Sequence, residues 1–144
     1  MQKGQIRRIV TGHDSEGQAI FTEDGPAPSV HTNPKRVGYL LTNLWMTDET
    51  PCFVGNNADP SSRPLTLEPP KNGTVVRIIE FGPEGEWTRQ LDGGGAKEAF
   101  GALGTDKAST YKEGGHPLMH RTETVDYALV LKARSTSFLT ARSA

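Results

Sequence analysis

Cysteine is nearly absent from this chain: Cys52 is the only one among 144 residues. A single thiol excludes an intramolecular disulfide and a thiolate zinc cage. Set between Pro51 and Phe53, it is expected to serve as a small apolar packing residue. Long apolar runs are missing too, and nothing approaches the roughly 20 residues of a membrane-spanning helix. The first eleven residues carry basic groups but no apolar stretch, so they do not read as a secretory signal. Excess charge of one sign is also lacking. The formal net charge is -1, which leaves no cationic surplus for a phosphate backbone. A soluble, cytoplasmic protein with neither a nucleic-acid nor a membrane partner is expected. No Gly-x-Ser-x-Gly elbow or phosphate-cradling loop occurs, and the glycines at 93–95 lack the preceding strand of a dinucleotide fingerprint. No nucleotide cofactor is expected.

Hydrophobic residues make up only 34%, whereas the chain holds 16 Gly and 10 Pro. That balance predicts short strands joined by many turns, within one domain of modest core. Residues 6–11 (IRRIVT) and 18–23 (QAIFTE) flank the turn-forming segment 13–17 and predict a hairpin. Residues 24–34 carry Gly25, Pro26, Pro28 and Pro34, which argue against regular structure there. Residues 38–47 (GYLLTNLWMT) predict a strand with bulk on both faces, either buried on both sides or set in a barrel wall. A long proline-punctuated stretch follows at 48–73, closing on the turn signal Asn72-Gly73. The clearest strand is 74–81 (TVVRIIEF), dense in β-branched residues. Residues 96–103 predict two turns of helix at most, and 125–132 (VDYALVLK) the last strand. Trp45, Trp87 and Tyr127 are expected as pocket or core aromatics. Beyond residue 132 the alternation collapses into an irregular tail, 133–144.

The chemically rich stretch is 114–132, GGHPLMHRTETVDYALVLK. In an extended chain alternate side chains share a face. Counting by twos from His116 gives Leu118, His120, Thr122, Thr124 and Asp126. Two imidazoles and a carboxylate on one wall suit a divalent transition metal, with His116, His120 and Asp126 as its ligands. Ala128 and Val130 continue that wall with apolar surface, as a pocket for an organic small molecule requires. Loop histidines without any ligand role are also common, so spacing alone leaves both readings open. His13 and His31 stand isolated in polar segments and are not candidates, and Glu123 has the wrong parity.

The stretch from His116 to Lys132 resembles the first conserved motif of the small cupins, and the similarity extends upstream over 7–14 and 75–83. The resemblance implies an all-β double-stranded β-helix (a jelly roll) over 1–132. It puts His120 at the first histidine position of the motif, Thr122 at the second, Asp126 at the glutamate and Ala133 at the glycine. The family's second motif has no counterpart here, so the jelly roll is expected to be incomplete at the C-terminus and 133–144 to be a foreign ending. Within the family the chain resembles cupin-domain oxidoreductases of fungal polyketide gene clusters making salicylaldehyde-type compounds. That implies an oxidoreductase acting on a small polyketide intermediate of secondary metabolism, with His120 and Asp126 as catalytic groups. Two rivals stand beside it: a non-catalytic module that binds a small molecule, and an inactive, truncated product. Strand edges left unpaired would favour a homodimer.

Overall fold

A computed structural model describes residues 5–55, 59–105, 107–113 and 115–132 of the chain. The tail 133–144 lies outside them. The described residues hold five strands: β1 (Arg7–His13), β2 (Ala19–Pro26), β3 (Ser29–Thr32), β4 (Leu40–Thr47) and β5 (Thr74–Glu80). They form a two-stranded sheet, β1-β2, and a three-stranded sheet, β3-β4-β5, antiparallel throughout. A 3-10 turn (Pro60–Ser62), a short helix α1 (Glu86–Arg89) and helix α2 (Gly93–Gly101) complete the described elements. No described helix is long and apolar enough to cross a membrane.

The β1-β2 hairpin forms as its turn chemistry predicts. Asp14 accepts from the backbone N–H groups of Glu16 and Gln18, and Gly17 takes a positive φ of 78°. The expectation for 24–34 needs correction. Pro26 ends β2 on an open edge, where no ladder donor is needed, and the four residues of β3 fit between Pro28 and Pro34.

Strand β4 lies at the centre of its sheet and is buried on both faces, as expected. Leu41, Thr42, Asn43 and Met46 are all buried. Its register against β5 slips between Asn43 and Trp45, a bulge that leaves Leu44 as the extra residue. The slip frees the Leu44 carbonyl, and Arg8 of β1 takes it, Nη1 to O at 3.0 Å. Arg8 also bonds Ser61, Asp59 and Glu23, so one buried guanidinium ties the hairpin to β4 and to the 3-10 turn.

The main core lies on one face of the larger sheet, where Tyr39, Leu41, Phe100, Leu103 and Ala108 pack with Leu65 and Leu67. Helix α2 covers this face. It starts three residues earlier than 96–103 predicts, in the glycine run, because Asp92 caps it: Oδ1 accepts from Gly95 N at 2.7 Å. It is closed at the far end by Gly104, φ 86°, with bonds from Gly104 N to Gly101 O and from Thr105 N to Phe100 O. Gly73 answers to space, not to φ: a Cβ there would lie 1.8 Å from the Thr47 carbonyl oxygen.

Three further expectations fail. Residues 125–132 form no strand; with no ladder partner among the described residues, they leave Val125, Tyr127, Leu129 and Leu131 exposed. Ala128 and Val130 are exposed with them and line no wall. Trp45 and Tyr127 are exposed, not core, and Cys52 is exposed as well.

Candidate functional site

Directly opposed residues of an antiparallel sheet share a face. On the face under α2, the register therefore sets two rows across three strands: Ser29, Asn43 and Arg77, then His31, Leu41 and Ile79. Ser29 and His31 are hydrogen-bonded, Oγ to Nε2 at 3.0 Å. Asn43 is buried, and its Oδ1 has no hydrogen-bond partner among the described residues.

Tyr39 sits beyond the second row, buried, with its ring edge-on to Phe81 at 5.9 Å between centroids. Arg36 stacks over both rings, its Cζ 4.3 Å from the centroid of Tyr39 and 5.4 Å from that of Phe81. Arg77 is held from the other side by the carbonyls of Leu67 and Thr66, each at 3.2 Å. Burial pushes both guanidiniums below their ordinary values and pushes the Tyr39 phenol up, while the two cations pull that phenol back down. Among the described residues, neither arginine has a carboxylate within ion-pair distance. Glu84 acts on Arg36 and Asp126 on Arg77 at longer range.

The C-terminal segment borders this face. His116 pairs with Glu84, Nε2 to Oε1 at 3.2 Å, and its Nδ1 accepts from Leu118 N at 3.2 Å. His120 bridges to Ser109 through the backbone and lays its ring against Phe100, centroids 5.1 Å apart. Its Nδ1 faces the Leu118 carbonyl at 3.1 Å. A carbonyl only accepts, so Nδ1 carries the proton in that bond, and Nε2 of the neutral ring is left with its lone pair. Thr122, Thr124 and Asp126 form a hydroxyl–hydroxyl–carboxylate chain, at 2.7 and 3.1 Å.

Thr122, Thr124 and Asp126 are thus joined in series across bends at 123 and 124. The two histidines do not join that series: His116 turns to Glu84 and His120 to Phe100. Among the described residues no three His, Cys, Asp or Glu side chains converge. Both nitrogens of His116 are already engaged, so the three proposed ligands, as placed here, do not fit one metal centre.

A cavity of about 620 Å³ opens beside the core, lined by Met46, Arg63, Thr66, Leu67, Gly104 and Thr105 among others. A second, of about 500 Å³, adjoins it at Lys97, Glu98 and Gly101. Neither is lined by His116, His120 or Asp126. The sequence reading missed Arg36, Tyr39, Asn43 and Arg77 as site candidates. A signal existed in Arg77, a lone charge in the middle of the most β-branched strand, and in Asn43, which shares the parity of Tyr39 and Leu41.

No family model matches the chain. It is 33% identical over 84 residues to the cupin-domain-containing oxidoreductase srdD of Neurospora crassa. The match takes in 55% of this chain and 41% of that protein, so the chain spans less than half of its relative's length. The described strands pair antiparallel, and over the matched stretch the sequence is similar to that of a cupin-domain protein.

Proposed function

We propose that the chain acts as a cupin-like oxidoreductase on a small organic molecule, a polyketide intermediate of secondary metabolism. The observation that carries the reading is the 33% identity to a cupin-domain-containing oxidoreductase. His120 is the acid/base group: its Nδ1 is engaged by the Leu118 carbonyl and its ring is steadied by Phe100, with Nε2 left as proton acceptor. Asp126, at the end of the threonine chain, acts on Arg77 and helps to set the charge of the sheet face. No step is routed through a metal, because the residues that would hold one are placed apart.

Turnover of small aromatic polyketide alcohols and aldehydes by purified protein tests the reading. His120→Ala is expected to lower kcat by about 100-fold or more, the usual contribution of a positioned acid or base. Undiminished product formation by that variant would remove the role given to His120.

A second reading has its own support. The separate engagement of His116 and His120 suits a module that binds a pathway intermediate without transforming it. Saturable binding of the same compounds by wild-type protein, with no conversion, would decide for this reading.

A further inference from the structure

The chain enters β4 through a turn, Arg36 to Tyr39, closed by a bond from Tyr39 N to Arg36 O at 3.1 Å and shaped by Gly38 at φ 75°. The turn folds Arg36 back over the ring of Tyr39. Continuing the β4-β5 register by one step past Leu40 and Glu80 sets Phe81 opposite Tyr39, and the two rings meet edge-on. Arg77 and Ile79 precede Phe81 on the same side of the chain. Arg36 and Arg77 therefore flank one ring from two different elements, and both act on its phenol.

Both guanidiniums keep donors in reserve. Stacking covers the face of Arg36 but leaves its in-plane N–H groups open, and among the described residues they donate to no acceptor. Arg77 gives Nη1 and Nη2 to two neutral carbonyls. The carboxylates that act on them are engaged elsewhere: Glu84 pairs with His116, and Asp126 accepts from Thr124. Burial thus takes water from two cations without a direct ion pair among the described residues to offset it. In the row of Arg77, the orphaned Asn43 Oδ1 leaves an acceptor unmet as well.

A carboxylate matches the planar fork of a guanidinium. Beside the two cations Ile79 is 38% exposed and Phe81 56%, an accessible apolar surface. We propose that Arg36 and Arg77 together hold the carboxylate of a small organic acid whose body lies against Ile79 and Phe81. Such binding needs no turnover, so it holds for an oxidoreductase and for a binding module alike.

Isothermal titration of the full chain with benzoate, benzamide and benzyl alcohol tests the proposal. The three compounds share a ring and differ in the group that they present. Benzoate is expected to bind saturably, about tenfold or more tighter than either neutral compound, as a charge-assisted bond implies. Arg36→Gln and Arg77→Gln are each expected to weaken benzoate about tenfold or more and to leave benzamide unchanged. Arg89→Gln removes an exposed cation paired with Glu86 and is expected to change neither. The wild-type preference for benzoate is read without any variant, so it stands even where a substitution damages the fold. No saturable benzoate binding, equal affinity for benzamide, or equal weakening by Arg89→Gln overturns the proposal. Sulfate that binds as tightly as benzoate overturns the organic acid in favour of a simple anion site. Turnover of neutral alcohols by a protein that ignores benzoate would leave the oxidoreductase reading intact and remove this one.

Discussion

A single side chain, Arg8, does more to hold the described fold together than the sequence suggests. It is buried, and it reaches Leu44, Ser61, Asp59 and Glu23 from a strand whose ladder partner is β2. The Arg8 guanidinium holds the Asp59 carboxyl at about 2, below its ordinary 3.8. A carboxyl whose folded value is depressed binds more protons when unfolded, so its contribution is complete above pH 4 and fades as pH falls from 3.8 towards 2. The pair is expected to add up to about 2 kcal/mol above that window. Arg8→Ala leaves two carboxylates without their cation and is expected to cost about 3–5 kcal/mol. Urea titrations of both chains at pH 6 and pH 2.5 check this: the difference between them should narrow at the lower pH. Nothing in the sequence marks Arg8 above its neighbour Arg7, whose pairing with Asp24 is exposed. Its importance comes from contacts 15 to 53 residues away, which local pattern cannot reveal.

Elements were more legible than contacts. The hairpin and strands β4 and β5 follow from turn residues and β-branched runs, because those signals act within a few residues. Helix α2 was misplaced for an instructive reason: three successive glycines argue against a helix start, yet the Asp92 cap and the Gly104 closure supply what propensity lacks. Asp92→Ala is therefore expected to lower stability by about 1 kcal/mol, measurable as a shift in the urea midpoint with unchanged slope. The opposite holds at 125–132, where composition is strand-like but no described strand lies alongside. A strand is a property of a pair, and a sequence that shows one partner shows only half of it. The candidate site divides in the same way. Thr122, Thr124 and Asp126 bond in series within five residues, whereas the partners of His116 and His120 come from the segment between β5 and α1 and from α2, beyond the reach of any local count.

Across the whole molecule, the covered face of the larger sheet is where aromatic packing and the C-terminal segment meet. Tyr39, flanked by Arg36 and Arg77, links that face to Glu84 and Asp126 through charge, while the core residue Phe100 touches the ring of His120. Phe100→Ala is expected to cost about 3–5 kcal/mol as a large-to-small core change. Its effect on turnover should exceed what the lost folded fraction explains, as activity per folded molecule measured well below the melting midpoint would show. The imidazole of His120 thus has its footing in the hydrophobic interior. In a screen that scores only product, a lesion at this phenylalanine would pass for damage to the histidine that it supports.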